Sequence, residues 1–197
     1  MKTQRKTARQ IIVASIMGLF ITLPQALAGE STVIDDFSHA NTTAAGFERQ
    51  YMNDSLAGGS TETEQVIAKG ILQVTGDIQP PRGQPGWASS IIPLSPMGVP
   101  FDASEYHGIK LKVRINQGNL TISANSTEVT NFDYHAAPVI VSADGKFHEV
   151  KVPFSAMKRA WSEQTALNTH TINSLSIVAY SLQKAPFDFE IDEVSFY

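Results

Sequence analysis

The chain has 197 residues, with 15 Lys and Arg against 19 Asp and Glu, a formal charge of −4, and no cysteine. An acidic chain lacks the basic footprint that nucleic acid or an anionic membrane surface requires, so neither is expected as a partner. Without cysteine there can be no disulfide and no lipid anchor at the amino terminus, and stability must come from the core alone.

In chain order, Lys2, Arg5, Lys6 and Arg9 precede the apolar run IIVASIMGLFITL, then Pro24 and the small residues Ala26 to Ala28. This is the three-part build of a secretory signal over residues 1–28. The apolar run is shorter than the ~20 residues that span a bilayer. A mitochondrial transit peptide shares the basic, acid-poor start but is amphipathic, without a solid apolar block, and no twin arginine is present. Removing these 28 residues takes away four positive and no negative charges, so −4 becomes −8. The expectation is an exported protein, periplasmic or extracellular. Residues 29–197 are expected to form a single domain without a transmembrane segment. A domain of this size buries ~70% of its unfolded surface.

From there period-two alternation dominates. Short candidate strands come first: STVIDDF, FERQYM, TEQVIA, ILQVTG and WASSIIPL. In GIKLKVRIN, Ile109, Leu111, Val113 and Ile115 share one face while Lys110, Lys112 and Arg114 share the other, so one side is buried and one is wet. NLTISANS repeats the pattern with Leu120, Ile122 and Ala124, and YHAAPVIV follows. FHEVKVPF repeats it with Val150, Val152 and Phe154, and SLSIVAYSL with Leu175, Ile177 and Ala179. GDIQPPRGQPG, PLSPMGVPFDASEYHG, NQGN and ADGK read as turns or loops between them. Only SAMKRAWSEQTAL has the spacing of a helix, with Ser155 placed to cap it. In FDFEIDEVSFY the apolar phase slips by one residue between Ile191 and Val194, which predicts a bulge at Asp192–Glu193. The first strand, VIDDF, resembles this ending, and the two are expected in one sheet. Many short strands with almost no helix indicate an all-β, antiparallel sandwich or barrel.

The glycine stretch NDSLAGGS lacks the lysine of a phosphate-binding loop and the G-x-S-x-G of a hydrolase elbow, so it reads as a turn. His39, His107, His135, His148 and His170 are scattered without metal-ligand spacing and are expected at the surface. Serine hydrolysis has its residue types but no specifying spacing, and paired carboxylates for glycoside cleavage are not fixed by sequence. If the terminal strands are neighbours, Asp35, Asp36, Asp192 and Glu193 come close together. Two such charges at ~4 Å repel by about 4 kcal/mol at an effective dielectric of 20. A structural calcium held by Asp36 and Asp192, a basic side chain, or hydration would offset that. Among the aromatics, Trp161 and Tyr134 are the ligand-contact candidates, Trp161 because it follows Lys158 and Arg159 in a polar stretch. Trp87 and Tyr180 read as core or edge filler.

Taken in order, VIDDFS, NDSLAGGS, GWASSI, FDASEYHGIKLKVR, FHEVKVPFSAM and INSLSIVAY…APFDFEIDEVSFY resemble the complex I intermediate-associated protein 30 family across nearly all of the chain after residue 28. The departures are Ala57 in place of a usual methionine, no arginine within Ser90 to Ile92, and NQGN in place of an Asp-Gly turn. The resemblance implies a galactose-binding-like antiparallel jelly-roll β-sandwich. It also makes NDSLAGGS a structural signature. The family's eukaryotic namesakes assist assembly of respiratory complex I inside mitochondria, a compartment that an exported protein does not share. The expected function is a non-catalytic binding module for glycans or an envelope protein. A chaperone-like assembly factor for a respiratory membrane complex is the alternative, and a glycan-active enzyme the third.

Overall fold

The computed structural model describes residues 31–197, and the secretory signal expected over residues 1–28 lies outside them. Among the described residues twelve strands form two antiparallel sheets. The first holds β1 (Thr32–Asp35), β3 (Glu62–Ala68), β4 (Ile71–Ile78), β6 (Gly108–Gln117), β9 (His148–Pro153) and β12 (Ala185–Phe196). Its order is β3-β4-β12-β6-β9, with β1 beside the end of β12. The second holds β2 (Gln50–Asn53), β5 (Gly86–Pro93), β7 (Asn119–Ser126), β8 (His135–Val139), β10 (Lys158–Arg159) and β11 (Ile172–Ser181), in the order β10-β8-β7-β11-β5-β2. No helix among the described residues is long and apolar enough to cross a membrane.

The alternating residues do what their spacing predicts. Ile109, Leu111 and Val113 of β6 are buried, as are Leu120, Ile122 and Ala124 of β7 and Leu175, Ile177 and Ala179 of β11. Each large apolar side chain removed from water in this way contributes ~1.5–3 kcal/mol. The phase slip in β12 is a bulge: Ile191 pairs with Val113 and Glu193 with Lys112, leaving Asp192 as the extra residue. That extra residue lets Phe189, Ile191, Val194 and Phe196 all reach the core. The terminal strands share a sheet, with Thr32 opposite Phe196.

Two expectations fail. The segment after Phe154 forms no helix: a short 3-10 turn (Phe154–Ala156) leads into β10, and the chain then runs irregularly to Asn168. Its amides bond to Asp133, a partner remote in sequence, and that nonlocal hold overrides a weak helical spacing. His135 is 2% exposed, with Nε2 bonded to the Thr165 carbonyl, so it belongs to the interior rather than the surface.

The NDSLAGGS stretch is a fastener. Asn53 caps a 3-10 turn (Asp54–Ala57) by accepting from the Ser55 amide, and Gly58 closes it with φ 85°, in the left-handed region that favours glycine. The Asp54 carboxylate is fully buried. It accepts from the Thr61 amide (3.0 Å), the Thr61 hydroxyl (2.7 Å) and the Trp87 amide (3.2 Å), tying the β2–β3 connection to β5. A Cβ on Gly59 would lie 2.2 Å from that carboxylate, which explains the second glycine.

Asp35 forms a second fastener. Its buried carboxylate takes both Arg49 Nε (2.6 Å) and Nη2 (2.7 Å), together with the Phe37 amide. The guanidinium lies over the Phe37 ring at 5.0 Å and donates to the His39 carbonyl. Removing one member of a buried, bidentate pair leaves the other charge uncompensated, at a cost of ~3–5 kcal/mol. Arg49→Ala is therefore expected to lower unfolding stability by about that much in urea titration. A loss below ~1 kcal/mol, the range of an exposed pair, would contradict this role for Arg49.

Candidate functional site

The two sheets present chemically opposite outer faces. On the first, strands β6, β9 and β12 carry a mesh of ion pairs. Lys110 sits 3.5 Å from Glu193 and 3.9 Å from Glu149, Lys112 pairs with Asp192, and Arg114 pairs with Glu190 while lying over Phe147. The repulsion expected among the terminal acids is thus met by basic side chains: Arg49 on Asp35, Lys112 on Asp192 and Lys110 on Glu193. Asp36 is exposed, and hydrogen bonds from the Ser38 hydroxyl and amide hold its carboxyl below the ordinary range. Among the described residues, no group of three or more His, Cys, Asp and Glu is placed to hold a metal ion.

The second sheet has no such mesh. Strands β2, β5, β7, β8 and β11 contain no Asp, Glu, Lys or Arg at all. Since Ala88, Ser90, Ile92, Ile122 and Ile177 are buried on the inner side, alternation directs Ser89, Ile91, Thr121, Ser123, Asn125, Ser174, Ser176 and Val178 outward, with Ser123, Ser174 and Ser176 nonetheless buried and the others half-buried. Register aligns them in cross-strand rows. Ser123 lies opposite Ser176 and Ala136, and Ser176 opposite Ile91. In the next rows Asn125 lies opposite Ser174 and Thr121 opposite Val178. Asn125 Nδ2 donates to the Ser174 and Ser176 hydroxyls at 3.0 and 2.8 Å. Ser123 Oγ is buried in this floor without a hydrogen-bond partner among the described residues. The one charged side chain that register turns toward this face is Lys158, opposite Ala136 on the edge strand β10.

Aromatic side chains stand at two corners of this face. Tyr134, one residue before β8 and in phase with outward Ala136, packs against Trp161 edge to face, with centroids 5.3 Å apart at 87°. Burial first, and the Asp133 charge next, push the Tyr134 phenol above its ordinary range, so it stays a neutral donor. Trp161 is 60% exposed. At the far end Trp87 and Tyr180 are register partners on β5 and β11, Trp87 half-buried and Tyr180 exposed. Beyond Tyr180, a cavity of about 390 Å³ opens at the end of the sandwich. Asn119, Pro138, Ile140 and Gln117 are among its lining residues, none of which is charged.

The Trp161 corner is held from below. The Asp133 side chain is fully shielded and accepts from the Tyr134 amide (2.8 Å), the Ala160 amide (3.0 Å), the Ser162 amide (3.1 Å) and the Ser162 hydroxyl. Arg159 Nε lies 3.0 Å away. Phe132, just before Asp133, takes φ 61° and is almost wholly exposed, an uncommon backbone state for a bulky residue.

The structure therefore brings together the two contact candidates of the sequence, Tyr134 and Trp161. Trp87 and Tyr180, expected as filler, stand on the same outer face. The signal that marks this face is the lack of charge in five strands, together with serine, threonine and asparagine recurring at outward positions of β5, β7 and β11.

This architecture is a galactose-binding-like antiparallel jelly-roll β-sandwich. It is similar to the family 11 carbohydrate-binding module of a cellulosomal cellulase of Clostridium thermocellum. The identity is 17% and the TM-score 0.60, over 85% of this chain and 94% of that one. The same module in complex with a β-1,3-1,4-mixed-linked tetrasaccharide matches at 16% identity and TM-score 0.58, over 84% and 94%. A family 30 carbohydrate-binding module matches at 14% and 0.52, over 84% and 98%. The chain belongs to the complex I intermediate-associated protein 30 family, whose model matches residues 36–191. A search of the curated proteins gives no match.

The Asp133 network makes a prediction. Desolvation raises its carboxyl, but hydrogen bonds from Ser162, Tyr134 and Ala160 outweigh that and hold it down at about 2. A folded-state value below the unfolded one of ~3.9 gives stability that is present above that value and lost as pH falls toward 2. Asp133→Asn is expected to lower the melting temperature at pH 7 and to expose Trp161 further to acrylamide quenching. The gap in melting temperature from the parent should close between about pH 4 and about pH 2. A gap unchanged across that range would contradict the network.

Proposed function

We propose that the protein is an exported, non-catalytic module that binds a glycan on the outer face of its second sheet. The observation that carries this is the uncharged face of hydroxyl and amide side chains, cornered by Tyr134 and Trp161 at one end and Trp87 and Tyr180 at the other. Sugar hydroxyls exchange hydrogen bonds with water for equivalent ones to Ser, Thr and Asn. Rings such as Trp and Tyr offer apolar area with a polar edge and few rotors to immobilise. The jelly-roll similarity to carbohydrate-binding modules supports the same reading. Export rests on the amino-terminal pattern of residues 1–28.

Catalysis is not part of the proposal. Glycoside cleavage needs two carboxylates flanking the bond, and the strands of this face supply none. The family match favours a second reading, a chaperone-like assembly factor for a respiratory membrane complex. Lowered abundance of such a complex after deletion of the chain, with no glycan bound in vitro, would favour that reading over the first.

In affinity electrophoresis through gels containing soluble polysaccharides, the protein is expected to be retarded by at least one of them. Trp161→Ala should lose about tenfold in affinity, the equivalent of ~1.4 kcal/mol. Free migration in every polysaccharide gel would remove the glycan reading.

A further inference from the structure

We infer that the ligand is an uncharged, extended polysaccharide chain lying across the second sheet and gripped at both aromatic corners, which excludes a single terminal sugar or an acidic polymer. This inference rests on the glycan-binding reading above and narrows it by geometry and charge.

The geometry comes from the register. Tyr134 precedes β8 in the row that contains Asn125 and Ser174, because Ala136 lies opposite Ser123 and Ser123 opposite Ser176. Tyr180 lies six residues further along β11 than Ser174. At ~3.4 Å per residue that separates the two rows by ~20 Å, and β8 and β11 are two strands apart, a further ~10 Å sideways. A single sugar ring cannot touch both corners; only a chain of several linked rings can. Between the corners the half-buried Thr121 and Val178 form the accessible floor, while Ser123 and Ser176 in the neighbouring row are buried. Neither end of the path is closed by a charged strand residue, and the Tyr180 end runs on into the uncharged cavity.

Charge restricts the ligand independently of its length. A carboxylate or sulfate on the chain would be taken out of water against side chains that cannot neutralise it, which is costly for an unpaired charge. Lys158, at the outer edge, is the one cation that the strands of this face provide, and the chain as a whole is acidic. A neutral chain loses no charge hydration. On the ion-paired face of the first sheet, by contrast, Lys110, Lys112 and Arg114 are already engaged by carboxylates.

The test is calorimetric titration of the full exported protein with neutral linear oligosaccharides from disaccharide to octasaccharide. They are taken from the polysaccharide that retards it best, with polygalacturonate as the acidic probe. Affinity is expected to climb with length until both corners are spanned, and polygalacturonate is expected to bind at least tenfold more weakly than the neutral polymer. Trp161→Ala and Tyr180→Ala should each weaken the longest oligomer about tenfold, ~1.4 kcal/mol, with melting temperatures unchanged. Length-independent affinity, a loss confined to one corner, or preference for polygalacturonate would overturn this inference and leave glycan binding standing. Failure to bind any oligosaccharide or polymer would overturn both. The wild-type length series decides the matter even if a variant does not fold.

Discussion

Every strand in a sandwich must give alternate residues to the core, so whatever the molecule recognises has to be written into the other half. In this protein the two sheets use that other half in opposite ways. On the first sheet it carries lysines, an arginine and carboxylates that pair with one another. Such a face is strongly hydrated, with Lys110, Lys112 and Arg114 already paired. On the second it carries serine, threonine, asparagine and apolar residues with no charge across five strands. That asymmetry is what sets the proposed binding surface apart from the solvated one.

Buried aspartates organise the connections between strands. Asp35 holds Arg49 and the loop after β1, Asp54 closes the turn after β2 onto β5, and Asp133 pins the segment that carries Trp161. In each case one carboxylate satisfies several donors, backbone amides among them, that would otherwise be buried without partners. Loops of irregular shape can then keep a fixed geometry without helix or disulfide. For the proposed role of Trp161 this matters directly: an aromatic on a mobile loop would have to be ordered on binding, and the Asp133 network fixes that loop beforehand.

Much of this was legible in the sequence. Period two showed the strands and their buried faces, because one inward residue in two leaves a plain signature in GIKLKVRIN and SLSIVAYSL. The bulge at Asp192 could be read because a phase slip in a strand that must stay buried has one remedy. The glycine stretch was readable as a turn, although Asp54 reaching Trp87 was not. The helix expected after Phe154 failed because Asp133, far upstream, decides that segment's shape. The proposed binding face was not visible in the sequence for a related reason. Each strand's lack of charge is visible on its own, but the sheet order β10-β8-β7-β11-β5-β2 that assembles five such strands side by side is not written locally. Trp87 and Tyr180 looked like filler until that order placed them beside each other.

The most direct measurement is an amide chemical-shift map of the isotopically labelled protein during titration with a neutral, soluble polysaccharide. The account predicts that the shifted amides cluster on β5, β7, β8 and β11 and around Tyr134, Trp161 and Tyr180, while those of β6, β9 and β12 stay in place. Shifts centred on the ion-paired sheet, or none at saturating polysaccharide, would contradict it.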